Sequence, residues 1–230
     1  DSGSVYIFKN DGSGSFIQIS KLTASDATAS DYFGYSVSIS GNYAIVGAYG
    51  DDDNGTDSGS AYIFKNDGND NFIETSKLTA SDGAGEDNFG YSVSISGDYA
   101  IVGSAYDDDN GSSSGSAYIF KNDGSDNFTQ TSKLIASDPA MDDYFGSSVS
   151  ISGNYAIVGA PQNDDNGDGS GSAYIFKNDG NDNFIETFKL TASDASRGEI
   201  FGMSVSISED YAIVGAKHGL DNGVYSGSAY

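Results

Sequence analysis

The stretch FGYSVSISGNYAIVGA, residues 33–48, decides the fold. In its first half Phe33, Tyr35, Val37 and Ile39 alternate with Gly34, Ser36, Ser38 and Ser40. A period of two predicts a β-strand with one strongly apolar face. Gly41-Asn42 then supplies a tight turn into Tyr43–Ala48, a second strand that is apolar on both faces and so expected to be covered on both sides. Beyond a polar loop, residues 59–64 read as a third strand, and Asn66-Asp67-Gly68 turns the chain into a fourth over 72–80. No stretch has helical spacing. The unit is a meander of four short antiparallel strands.

That unit recurs without insertion. Phe-Gly stands at Phe33, Phe89, Phe145 and Phe201, always 56 residues apart, and the third-strand start at Val5 returns at Ala61, Ala117, Ala173 and Ala229. The 230 residues therefore hold four repeats, and residues 225–230 repeat the register of residues 1–6. We read residues 1–230 as a single repeat domain. One four-stranded meander cannot cover both faces of its second strand, but neighbouring copies can, either as a ring of radial sheets or as an open stack. The ring gains from the phase of the chain. Residues 1–32 carry strands three and four and residues 201–230 carry strands one and two, so the two ends are expected to complete one shared blade.

Composition excludes several function classes. With 34 Asp+Glu against 10 Lys+Arg the net charge is −24, which repels nucleic-acid phosphates and anionic lipid. No apolar run approaches the ~20 residues that span a bilayer, so neither nucleic acid nor membrane insertion is expected. There is no Cys for a disulfide, a thiol nucleophile or a Cys-ligated metal, and His218 is the one histidine. The 16 Tyr and 13 Phe separate the chain from disordered acidic sequences, which lack aromatics. A leader with a positive and then an apolar region is not seen before Asp1, and a removed signal peptide or a longer parent chain would each account for that.

Phe33-Gly34 with its strand, the Ala44–Ala48 segment, the Gly59–Phe64 segment and Val158-Gly159-Ala160-Pro161 together resemble the FG-GAP repeat, known from integrin α-subunits and many secreted bacterial proteins. The set KLTASD at 77–82 with DDDNG at 51–55 is most similar to the bacterial and environmental branch. The resemblance implies an all-β β-propeller of four-stranded blades and an extracellular or cell-surface setting. One departure is plain. The calcium loop of integrin repeats lies between the first and second strands, where this chain has only two residues, Gly41-Asn42 or their equivalents. That site does not carry over, and no Arg-Gly-Asp tripeptide is present.

Acidic clusters stand instead between strands two and three. Calcium takes 6–8 oxygen ligands, and a Gly-containing turn lets carbonyls join carboxylates around it. The candidate calcium ligands are Asp51, Asp52, Asp53 and Asp57 in the first loop, Asp107, Asp108 and Asp109 in the second, and Asp164, Asp165 and Asp168 in the third. The fourth copy, residues 219–223, has fewer acids. Solvated Asx turns are the alternative reading of the same residues. Asp26, Asp82, Asp138 and Asp194, with Asp31, Asp87, Asp143 and Glu199, are expected to order the loop before Phe-Gly by accepting backbone N–H bonds. Lys21, Lys77, Lys133 and Lys189 read as guards on an outer strand. Tyr32, Tyr49, Tyr106 and Tyr144 are expected to be exposed and open to a sugar or protein partner. Arg197, Lys217, His218 and Leu220 break the repeat's symmetry in the last copy.

These observations favour a non-enzymatic extracellular structural or adhesion protein, calcium-stabilised, whose partners are a protein, a glycan or copies of itself added head to tail into a fibre or surface array. A lectin-like carbohydrate-binding propeller is the alternative, and a hydrolase the third reading.

Overall fold

The computed structural model describes residues 2–219 and 226–230, and all regular structure in them is β. The chain starts with a hairpin, β1 (Val5–Asn10) and β2 (Phe16–Leu22). Three four-stranded antiparallel meanders follow. The first is β3 (Ser36–Ser40), β4 (Tyr43–Ala48), β5 (Ser60–Asn66) and β6 (Phe72–Leu78). The second is β7 (Phe89–Ser96), β8 (Tyr99–Ser104), β9 (Ser116–Asn122) and β10 (Phe128–Leu134). The third is β11 (Ser148–Ser152), β12 (Tyr155–Ala160), β13 (Ser172–Asn178) and β14 (Phe184–Leu190). A three-stranded sheet ends the chain, β15 (Phe201–Ser208), β16 (Tyr211–Ala216) and β17 (Ser228–Ala229).

The second strand of each meander is an interior one, paired on both edges and buried on both faces, as its two-sided apolar pattern predicts. Ala44, Ile45, Val46 and Ala48 are all buried, with Val37, Ile45 and Ile39 of the sheet in register opposite Val46, Ser38 and Ala44. Between sheets, Val93 and Ile95 of β7 pack with Ile45 and Ile63 of the preceding sheet, and Phe89 is fully enclosed. Phe89 sits edge-on to Tyr118 and Phe120, centroids 5.5 and 5.9 Å apart. Such packing is the main favourable term in a fold with no disulfides and, among the described residues, no regular helices.

The glycines of the two signature motifs have a shared cause. A Cβ on Gly103 would lie 2.0 Å from the carbonyl oxygen of Gly146, in the Phe-Gly of the next sheet. Gly146 itself has φ +92°, a conformation that side chains rarely adopt. Backbone thus meets backbone across the sheet junction, and Ser92 Oγ donates to the same Gly146 carbonyl at 2.7 Å. The junctions repeat in phase. Ser36 donates to Gly90 O and Ser148 to Gly202 O, both at 2.8 Å. Lys65 pairs with Asp126 and Lys121 with Asp182, each at 2.7 Å.

Among the described residues the two ends do not pair in the expected shared blade. Among the described residues β1–β2 stands as its own sheet, packed on the first meander through Ile7, Leu22 and Phe64, and β15–β17 stands as another. The sheets follow one another as an open array, and its two ends show it. Val37 and Ile39 of β3 are 56% and 57% exposed, whereas their equivalents Val93 and Ile95 are 8% and 4% exposed. At the other end Tyr211 and Ile213 of β16 are 83% and 55% exposed, although Ile157, the equivalent of Ile213, is buried.

Candidate functional site

The acidic loops converge on lysines. Lys77 lies on β6, the outer strand of its sheet, and its Nζ reaches Asp26 at 2.6 Å, Asp53 at 2.5 Å and Asp51 at 3.1 Å. These three carboxylates come from two connections, β2–β3 and β4–β5, and their oxygens lie within 4.8 Å of one another. That is a cation's donor set. The cation in it is the ammonium, whose three protons match three acceptors. The Tyr62 ring lies beneath it, 5.3 Å from centroid to Nζ, and the Tyr62 hydroxyl is 2.9 Å from Asp26 and 3.0 Å from Asp51.

The arrangement is repeated. Lys133 binds Asp82 at 2.8 Å, Asp107 at 3.0 Å and Asp109 at 2.5 Å over Tyr118. Lys189 binds Asp138 at 2.5 Å and also Asp165, with Asn163 Oδ1 at 3.3 Å in place of the central carboxylate. Burial works against the charge of Lys77 and Lys133, but the hydrogen bonds from their carboxylates outweigh it and hold both amines above the ordinary lysine value. Burial likewise pushes Asp26 and Asp82 up, and the facing lysine reverses this, leaving both below the ordinary carboxylate value.

The ten candidate calcium ligands therefore divide. Asp51, Asp53, Asp107, Asp109 and Asp165 face a lysine. Asp52, Asp108 and Asp164 close their own loops by accepting the N–H of Asp57 (2.8 Å), Ser113 (2.6 Å) and Gly169 (2.7 Å). Asp168 pairs with Arg197 at 2.6 Å. Asp57 has φ 51°, and its carbonyl accepts from Asn88 Nδ2 at 3.0 Å. The fourth loop, over 220–225, lies outside the described residues. Of the acids expected to order the loop before Phe-Gly through backbone N–H bonds, Asp87 accepts from Ala84 N–H at 2.7 Å and Asp143 from Ala140 N–H at 3.0 Å, whereas Asp26, Asp82 and Asp138 face the lysines. Burial raises the Asp87 carboxyl, the Ala84 N–H opposes this, and the charges of Asp107 and Asp109 add to the rise, bringing it to about 6.

Tyrosines form a second feature, along the rim where each sheet's Phe-Gly begins. Tyr32 stacks on Tyr49 with centroids 4.9 Å apart. Tyr49 leads to Tyr91 at 5.9 Å, Tyr91 to Tyr106 at 6.0 Å and Tyr106 to Tyr144 at 5.2 Å. Tyr35 joins the row beside Tyr49 and Tyr91. Of the four tyrosines expected to be exposed, Tyr32 and Tyr106 are exposed and Tyr49 and Tyr144 half-buried, and they are joined by two, Tyr35 and Tyr91, that alternation assigns to the core. The row ends at a cleft of about 240 Å³ between Tyr106, Tyr144, Pro161, Gln162, Met203 and Lys217.

Together, phased four-stranded sheets with glycine-to-glycine junctions, acidic loops clasped by lysine and an aromatic rim define an all-β repeat array built to present surface. The family model of the FG-GAP repeat matches residues 16–64, 72–120, 128–176 and 184–230, so the chain belongs to the FG-GAP repeat family. Each full match runs from the start of a fourth strand to the end of the next third strand, across one sheet junction. No curated protein matches the chain. Repeats of this family point to an interaction module, and among the described residues no helix is long and apolar enough to cross a membrane.

Proposed function

We propose that this chain is a non-enzymatic structural and adhesion module of the cell surface or extracellular space, and that its first and last sheets each take up a further repeat of the same kind, from a neighbouring copy or from the same parent chain. The observation that carries this reading is the pair of open end faces. Val37 and Ile39 are the half of a sheet junction that β7 supplies inside the chain, and Tyr211 and Ile213 are the half that β4 supplies. One copy's first face therefore fits another's last face through the contacts already used three times. Inside the array Ser38, Ser94 and Ser150 accept the N–H of Ile95, Ile151 and Ile207 at 3.2 Å, so Ser206 is placed to accept from Ile39 of a second copy. The incoming β1–β2 hairpin would finish the sheet of β15–β16, taking the place of β17. β17 pairs with β16 at Gly215 and Ala216. Such a contact is heterologous, giving a filament if it stays open and a propeller-like ring if it closes.

In this reading the lysine clasps make the array cohere without a metal, and calcium acts as a competitor for the same carboxylates. Two one-sided variants test the assembly. Ile39→Asp blocks the first face and Ile213→Asp the last, so each alone should remain monomeric, while their mixture should give one-to-one dimers and stop. Association of either variant alone, growth of the mixture beyond a dimer, or no dimer in the mixture would refute it.

A further inference from the structure

Comparison of the four repeats with one another picks out a surface that the assembly reading leaves unused. Strand positions are fixed: Val37, Val93, Val149 and Val205 are one column, and Tyr43, Tyr99, Tyr155 and Tyr211 another. The columns that line the aromatic rim are not. Tyr49 corresponds to Ala105, Pro161 and Lys217, and Gly50 to Tyr106, Gln162 and His218. Tyr32 corresponds to Asn88, Tyr144 and Ile200, and Tyr35 to Tyr91, Ser147 and Met203. These four columns meet along one edge of the array, where they put a continuous row of rings at one side and the cleft at the other. In repeat proteins a common scaffold stacks the units while the face that varies from unit to unit is the one that binds.

The rim backbone is also held in a costly state. Tyr32, Asn88, Tyr144 and Ile200, the residues immediately before each Phe-Gly, have φ between 54° and 60°. Ile200 is β-branched, for which this region is an outlier. It lines the cleft with Met203, and strained positions of this kind concentrate at ligand clamps.

We propose that the tyrosine row and its terminal cleft form a binding groove for a neutral polysaccharide, with one sugar ring seated in the cleft and successive rings laid along the row. The chemistry selects this class. Tyrosine offers an apolar face for the C–H side of a pyranose and a hydroxyl for its rim. Gln162 and Lys217 add an amide and an ammonium at the cleft. A volume of about 240 Å³ is below the ~300 Å³ where drug-sized pockets begin, enough for a single ring. The net charge of −24 works against an anionic polymer. A proline-rich peptide would want parallel-walled aromatic slots. Past the stacked Tyr32–Tyr49 pair, successive rings are tilted 54° to 69° to one another and make shallow platforms. The groove goes beyond the assembly reading, since it lies on the rim and not on the end faces.

Six of the 16 Tyr lie in the row and there is no Trp, so intrinsic tyrosine fluorescence can follow binding and the tyrosine variants assign the signal to the groove. The native chain should be titrated with cellohexaose, mannohexaose, chitohexaose and a decaproline peptide. Saturable binding of at least one hexasaccharide is expected, weakened about tenfold or more by Tyr106→Ala, largely kept by Tyr106→Phe and unchanged by Tyr211→Ala on the end face. Circular dichroism of each variant guards against misfolding. No response to any sugar, preference for decaproline, or sugar binding that survives both Tyr106→Ala and Tyr144→Ala would overturn the proposal.

Discussion

Replacing Lys133 by Met keeps the stem that lies over Tyr118 and removes only the ammonium. Three carboxylates then lose their shared partner. Asp82 and Asp109 have side chains 39% and 59% exposed, so water can solvate them, and each contributes within the ~0–1 kcal/mol typical of surface pairs. Asp107 cannot be rehydrated, because its side chain is only 3% exposed. Stranding one member of a buried pair costs about 3–5 kcal/mol, and the Tyr118 hydroxyl, 2.8 Å away, still donates to Asp107. We therefore expect a loss of about 3 kcal/mol, at the lower end of that range. For a chain of this size each kcal/mol moves Tm by roughly 2–4 °C, so Tm should fall by about 6–12 °C. Urea and thermal unfolding of the native chain measure it, and Lys133→Met with Asp107→Asn should recover most of the loss. The same variant weighs the metal reading. With the ammonium gone, millimolar Ca²⁺ should raise Tm more than it does for the unaltered protein, and more than Mg²⁺ does. A loss below about 1 kcal/mol, the size of an ordinary surface change, would show that the clasp is decoration.

Phe89→Ala empties a fully enclosed ring site between two sheets and should cost about 3–5 kcal/mol by chemical denaturation. Gly103→Ala drives a Cβ into the Gly146 carbonyl at 2.0 Å and should cost about 1–3 kcal/mol or more, with hydrogen exchange rising first at the β8–β11 junction. The pH dependence has two limbs of opposite sign. Asp87 titrates at about 6 in the fold against an ordinary 3.8, so between those values the folded state holds the extra proton, and this group's contribution falls as pH rises through the window. Asp87→Asn should thus raise Tm at pH 7.5, with the gain vanishing near pH 4. Asp26 and Asp82 are depressed, so their contribution is present above 3.8 and lost as pH falls below it, which sets the acid limb of melting curves.

The strands were legible because a period of two and paired turn residues repeat four times, and because Tyr43–Ala48 is apolar on both sides. Tyr35 leaves the face that alternation assigns to it for a local reason. The equivalent register shifts between Phe89 and Ser92, so the residue two after Phe leaves the core face that strict alternation assigns to it, and Tyr35 ends up in the rim row. The lysine clasp was hidden by distance along the chain. Lys77 stands 24 to 51 residues from its three acids, and as a residue of an outer strand it reads as an edge guard until the loops are seen to fold over it. The acidic loops suggest a cation because carboxylates gather around one, and sequence does not say whether that cation is a metal ion or the lysine ammonium. The rim had a signal available without a structure: its columns vary while the strand columns beside them are held nearly fixed. Ring closure had none, since whether the first and last faces meet depends on the summed rotation between sheets, which no local pattern records.

If the two end faces are halves of one junction, they will join copies of this chain in solution, and its molar mass reads that joining. Light scattering over a range of concentrations, with electron microscopy of the same samples, should show mass rising in steps of 23.8 kDa and particles joined end to end with a constant sheet spacing. A single compact particle of 23.8 kDa at every concentration, with Val37, Ile39, Tyr211 and Ile213 still open to solvent, would contradict it.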